Sequence, residues 1–110
     1  MQGAPAVDIF RVELDHDNGV TPRLRLIGEM DAGTIDVFRS AVTDVRDAGG
    51  ERVILDLGEL DFIDSTGLGA LVAALKRFRD VGGDVTLTDV RPRVAKLLEL
   101  TGLDKAFTIA

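Results

Sequence analysis

Asp61-Phe62-Ile63-Asp64-Ser65-Thr66-Gly67-Leu68-Gly69-Ala70-Leu71 is the run that decides how this chain is built. An apolar strand ends there in a carboxylate and two adjacent hydroxyls, and a glycine-spaced apolar helix begins. Leu68, Leu71, Val72, Leu75 and Phe78 fall at i, i+3, i+4, i+7 and i+10, the spacing of one helical face. Lys76, Arg77 and Arg79 fill the last turns, where cations suit the helix dipole, and Gly82-Gly83 follows as a stop. Ser65 and Thr66 are thereby expected at a helix N-terminus, where backbone N–H groups lack intrahelical partners. A hydroxyl in that position can cap the helix, act as a nucleophile or accept a phosphate.

Working outward, residues 52–57 read as a strand, nearly all apolar through Val53, Ile54, Leu55 and Leu57. Such a run suits a strand covered on both faces, or a central one. Ile35, Phe38, Val42 and Val45 mark an earlier helix, widened by Ala41 and Ala48 and ended by Gly49-Gly50. Residues 28–33 read as the loop before it. Residues 7–14 and 23–27 are short β-like runs, and Asn18-Gly19 between them favours a hairpin turn. Downstream, residues 84–88 form the next strand, and Pro92 opens a third helix carrying Val94, Leu97 and Leu98, with Gly102 placed to stop it. Residues 106–109 either form a last short strand or simply dock. The order β-β-α-β-α-β-α predicts an α/β domain with a mixed, mostly parallel sheet of four to five strands and three to four helices. Residues 1–6 are expected as a flexible N-terminal segment and 7–110 as one domain.

Composition removes several classes of function. The 110 residues are 45% hydrophobic and 29% charged, ordinary values for a soluble globular domain. No apolar stretch approaches the ~18 residues of a membrane span, and residues 1–6 do not resemble a signal peptide, so a cytoplasmic protein is expected. The absence of cysteine excludes disulfides and thiolate metal sites. A net charge of −6 argues against nucleic-acid binding.

Motifs remove more. His16, the only histidine, sits in the turn-like run Asp15-His16-Asp17-Asn18-Gly19 and reads as a solvated turn residue. Counted from Asp15, that run puts glycine at the fifth position, where a calcium loop needs an acid or amide. Gly67-Leu68-Gly69 starts like a dinucleotide fingerprint, but the third glycine position holds Val72, and no phosphate-loop lysine motif exists. Ser65 lacks the Gly-x-Ser-x-Gly frame and the lone histidine is far away in the chain, so nucleophilic catalysis is not supported. No catalytic residue, metal or cofactor is expected.

Gly67 and Gly69 each cost roughly 1 kcal/mol in a helix interior. Either a neighbouring strand packs closely there or the first turn is distorted; the functional reading is that another protein's backbone comes close. Between Val53 and Leu75 stand four acids, Asp56, Glu59, Asp61 and Asp64, and no base. A phosphate on Ser65 would add about −1.5 to −2 charge to that acidic edge with no sequence-local arginine to pair it. Such a phosphate would repel a docking partner.

Residues 60–69, Leu60-Asp61-Phe62-Ile63-Asp64-Ser65-Thr66-Gly67-Leu68-Gly69, closely resemble the signature of STAS domains, the anti-sigma factor antagonist family. Gly28-Glu29-Met30-Asp31 resembles a second landmark before the first helix, and the 53–57 strand, Gly82-Gly83-Asp84 and residues 92–103 follow the same pattern. The likeness spans residues 7–109. The resemblance implies a partner-switching regulator that binds an anti-sigma factor serine kinase and so releases a sigma factor. It implies phosphorylation of Ser65, with Thr66 a lesser alternative, and reversal by a PP2C-type phosphatase. Asp31, Asp64, Ser65, Thr66, Gly67, Leu68 and Gly69 are then the partner-binding set, on a monomer or weak dimer. Two rivals are a STAS-like scaffold in a lipid-transport or stress-signalling complex, without phosphoregulation, and a nucleotide-binding protein, for which the chain has no phosphate loop.

Overall fold

Two antiparallel strands open the fold in the computed structural model, which describes residues 9–17 and 20–110. The segment expected at 1–6 and the Asn18-Gly19 turn lie outside the described residues. Strand β1 (Phe10–Asp17) pairs with β2 (Thr21–Met30), and His16 stands opposite Pro22 in that ladder. The backbone of His16 therefore belongs to a strand and not to a turn: the ladder continues three residues past the apolar alternation that marked the strand in the sequence.

From β2 the chain crosses through helix α1 (Ile35–Asp47) to strand β3 (Arg52–Ile63), then through α2 (Ser65–Arg79) to β4 (Asp84–Thr88). Helix α3 (Pro92–Thr101) and a single 3-10 turn (Leu103–Lys105) lead to β5 (Thr108–Ile109), so the tail does form a short strand. The sheet order is β1-β2-β3-β4-β5, antiparallel at the first pair and parallel at the others. This is the mixed, mostly parallel α/β sheet expected, at five strands and three α-helices.

Strand β3 is the central strand, and only one of its faces is closed. Val53, Leu55 and Leu57 are buried, while Ile54 and Asp56 between them are half-buried on the other side. The strand also runs six residues further than its apolar core suggested, because its ladder with β2 continues through register shifts near Ile27 and Gly28. Leu60, between the two irregularities, and Ile63, beyond both, again point into the core. Helices α1 and α2 pack on each other and on the sheet through Phe38, Val42, Leu71, Leu75 and Phe78. Pro92 sits at the start of α3, and Gly102 at φ +76° ends it in the left-handed region that a residue with a Cβ avoids. The opposite face of the sheet carries ion pairs: Arg25 with Glu13 and Glu59, and Arg23 with Asp56 and Asp89.

Candidate functional site

The two parallel strands β2 and β3 end side by side, with Met30 opposite Ile63. Asp31 and Asp64 are the next residue of each strand, so the sheet delivers both carboxylates to one edge. The Asp64 N–H donates to the Met30 carbonyl at 3.3 Å, which ties the two exits together. Ligands of open α/β sheets characteristically bind at this C-terminal edge of the strands.

Asp64 caps α2. Its backbone is extended, at φ −104° and ψ −172°, and its Oδ1 accepts the Gly67 N–H at 2.9 Å. One of the orphan donors of the first turn is thereby satisfied by the carboxylate, which leaves Ser65 at the first helical position. Ser65 is exposed and Thr66 half-buried, and neither hydroxyl makes a hydrogen bond to a described residue. Of the roles open to the Ser65 hydroxyl, helix capping is therefore excluded.

Asp31 is held in a small turn of its own. Its Oδ1 accepts the Gly33 N–H at 2.9 Å, and its own N–H donates to the Thr34 hydroxyl at 3.0 Å. That hydroxyl donates in turn to the Glu29 carbonyl at 2.9 Å. The second carboxylate oxygen of Asp31 has no hydrogen-bond donor among the described residues.

Gly67 and Gly69, alike in sequence, differ in space. A Cβ on Gly67 would lie 2.6 Å from Ile63 Cγ1 and 2.9 Å from the Met30 carbonyl oxygen. The close-packing explanation holds there: α2 rests its first turn directly on the ends of β2 and β3. A Cβ on Gly69 would meet nothing within 4 Å, and the residue is exposed. Leu68 is buried, at 8% exposure. The surface of the expected partner-binding set is thus formed by Asp31, Asp64, Ser65, Thr66 and Gly69, while Gly67 and Leu68 face inward.

The acidic flank is less bare than in the sequence. Arg23 donates to Asp56 at 2.6 Å, Arg25 reaches Glu59, and Arg91 donates to Asp61 at 2.8 Å. Burial pushes the Asp56 carboxyl up, but hydrogen bonds from Arg23 and the Gly58 N–H, with the charges of Arg23 and Arg25, hold it below the usual range. No ion pair reaches Asp31 or Asp64 among the described residues. The two carboxylates at this edge of the sheet, Asp31 and Asp64, therefore keep their charge without an ion-pair partner among the described residues.

Two neighbours were not singled out from the sequence. Phe62 is 44% exposed and borders a groove of about 340 Å³ with Ile63, Arg93, Val94, Lys96 and Leu97. Arg91, at the N-terminus of α3, closes on Asp61 across 30 residues of chain. Strict alternation from the buried Leu60 would turn Phe62 inward; it faces out because the β2–β3 register shifts between Leu60 and Phe62. Nothing local predicts the approach of α3.

The comparisons agree with this geometry. Residues 11–110 match the model of the STAS domain. The chain is 35% identical over 101 residues to the anti-sigma F factor antagonist of Paenibacillus polymyxa, covering 91% of this chain and 86% of that protein. Its fold matches the crystal structure of an anti-sigma factor antagonist from Mycobacterium paratuberculosis with a TM-score of 0.83, at 24% identity, over 96% of this chain and 89% of that one. It also matches the Bacillus cell fate determinant SpoIIAA in its phosphorylated form, with a TM-score of 0.70 at 24% identity over 90% of each chain. The chain belongs to the STAS domain family, beside relatives named anti-sigma factor antagonists, and is a regulatory binding protein rather than an enzyme.

Proposed function

We propose that this protein is an anti-sigma factor antagonist that binds an anti-sigma factor serine kinase through the N-terminus of α2, and that phosphorylation of Ser65 switches the binding off. Binding withdraws the kinase from its sigma factor, which is thereby released. The reaction moves the γ-phosphoryl group of ATP to Ser65 Oγ: the bond to the β-phosphate oxygen breaks, ADP leaves, and the hydroxyl proton goes to a base on the kinase. A PP2C-type phosphatase hydrolyses the ester and restores the free hydroxyl. These partners and ATP place the cycle in the cytoplasm.

One observation carries the proposal. Ser65 stands exposed at the first position of α2 with its hydroxyl unbonded, because Asp64 has taken over the cap. A kinase can modify it without breaking any internal hydrogen bond, so the modification acts on the surface and leaves the fold alone. The added charge of about −1.5 to −2 lands next to Asp64, at the strand edge it shares with Asp31, and neither carboxylate has an ion-pair partner among the described residues. Closing a protein surface over that charge costs several kcal/mol, and each ~1.4 kcal/mol is tenfold in affinity. The helix N-terminus offsets only part of this. A fold-neutral electrostatic block is the mechanism that the geometry supports. Thr66, half-buried, is the less accessible acceptor.

The test is titration calorimetry of the cognate kinase against the unaltered protein, Ser65→Ala and Ser65→Asp. Ser65→Ala should retain binding and should not be phosphorylated by the kinase with ATP. Ser65→Asp should bind about tenfold more weakly or worse. Equal affinity for both variants, or phosphate found by mass spectrometry elsewhere than on Ser65, would overturn the proposal. A protein that binds its partner unmodified in the presence of ATP would instead be the scaffold type.

A further inference from the structure

Strand β1 is an edge of the five-stranded sheet, and β5 at the other edge has only 2 residues. One side of the β1 backbone is bonded to β2; on the other, no strand among the described residues pairs with the N–H and C=O groups of its 8 residues. The Glu29 N–H donates to the Ile9 carbonyl at 2.8 Å, which sets the phase of the antiparallel ladder. Continued along the strand, odd-numbered residues bond inward to β2, and Phe10, Val12 and Leu14 direct their backbone groups to the free edge.

The side chains along that edge have a definite pattern. Val12 and Leu14, with Val20, Leu24, Ala41 and Val45, line an apolar groove of about 460 Å³ under the strand. Leu14 is 54% and Val20 83% exposed, an apolar surface left open at the rim of the core. Arg11 and Glu13 alternate with these residues on the ion-paired face of the sheet.

We propose that β1 is a self-association surface, on which two copies of this chain pair β1 to β1 in antiparallel fashion about a two-fold axis at Val12. In that register Val12 meets the second copy's Val12, Phe10 meets its Leu14, and Arg11 meets its Glu13. Over residues 10–14 each charge faces its opposite and each apolar residue faces an apolar one, while Asp15 falls opposite Ile9 at the ends of the paired stretch. The outward N–H groups of Phe10, Val12 and Leu14 meet outward carbonyls, as an antiparallel ladder requires. Neighbouring registers fail on charge. An axis at Glu13 sets two glutamates face to face, one at Arg11 opposes two arginines, and one at Leu14 opposes Glu13 to Asp15; like charges directly opposite one another destabilise a strand pair. Charged edge residues ordinarily keep a sheet from pairing at random. Here the order of Arg11 and Glu13 is complementary to the same strand run antiparallel. The pairing also brings the two open grooves together at the interface. It uses no residue of the Ser65 surface, so it stands whether or not Ser65 is a phosphorylation site.

Sedimentation equilibrium of the intact protein, up to about 1 mM chain, should show a monomer–dimer equilibrium that weakens with added salt. A monomer throughout that range overturns the proposal. Leu14→Pro deletes an N–H that faces the free edge and none that bonds β2, so it should abolish the dimer; a dimer that survives it overturns the proposed ladder. Arg11→Glu and Glu13→Arg should each weaken self-association by about tenfold or more. Mixed one to one, these two variants should associate with each other, because the introduced glutamate then meets the introduced arginine and the native pair is kept. If the mixture stays monomeric while the unaltered protein dimerises, the register is wrong.

Discussion

Asp64 and Ser65 are both good helix caps, and the chain presents them in succession. The structure gives the cap to the first, since β3 runs on to Ile63 and α2 starts at Ser65, leaving Asp64 as the half-in residue. This division of labour has a measurable consequence. Asp64→Ala should destabilise the protein by about 1 kcal/mol in thermal or denaturant unfolding. Ser65→Ala should change stability by less than about 0.5 kcal/mol, the usual range for a surface substitution that breaks no such feature. A loss at Ser65 as large as that at Asp64 would show that the hydroxyl is structural after all. The residue types of the site were legible in the sequence because a carboxylate and two hydroxyls between a strand and a helix have few local uses. Which of them caps depends on the last rung of the β2–β3 ladder, and that rung is a contact across 33 residues of chain, from Met30 to Ile63.

At the scale of the element, α2 is a helix with two glycines in its first turns that serve opposite ends. Gly67 lets the helix touch the ends of β2 and β3, so Gly67→Ala must push Ile63 or the Met30 carbonyl aside. That change should cost about 1–3 kcal/mol, in the manner of an overpacked core. Gly69→Ala adds its methyl to open space and should stabilise the helix by about 1 kcal/mol. The same variant should weaken partner binding if a docked backbone approaches Gly69, and calorimetry with the proposed kinase partner reads this directly. Stabilisation with unchanged affinity would leave Gly69 outside the interface. Periodicity placed α1, α2, β4 and α3 closely, since each carries its own apolar face and its own stop. It stopped short on β3, where Gly58, Glu59 and Asp61 interrupt the apolar pattern although the backbone ladder goes on. In β2 and β3, pairing with a neighbouring strand outweighs the side-chain rhythm.

On the scale of the whole molecule, three of the four acids that look unopposed in sequence, Asp56, Glu59 and Asp61, pair with arginines from distant elements, Arg23 and Arg25 on β2 and Arg91 before α3. Asp56 is held below the usual carboxylate range, its neighbours outweighing burial, and Asp84 is lowered first by the Thr108 hydroxyl at 2.7 Å and further by the Val85 N–H and Arg79. A carboxyl whose folded pKa is depressed contributes stability above its unfolded pKa of about 4 and loses it as the pH falls through the folded value. Unfolding free energy should therefore fall as the pH drops below about 4. Asp56→Asn should lower stability at neutral pH and flatten that acid limb; an unchanged slope would mean that the Arg23–Asp56 pair does not set it. Within the chain itself, alternation, helical spacing and the run from Asp61 to Gly69 determined the α/β class, the order of elements and the helix N-terminus that presents Ser65. These are properties of neighbours along the chain, fixed by backbone geometry and by the need to bury one face. Only the tertiary structure decided that Asp64 takes the cap, that Gly67 is a packing glycine and Gly69 a bare one, and that Arg91 and Phe62 border the site. Each of those depends on which distant backbone or charge comes to rest nearby, a distance in space that no local pattern encodes.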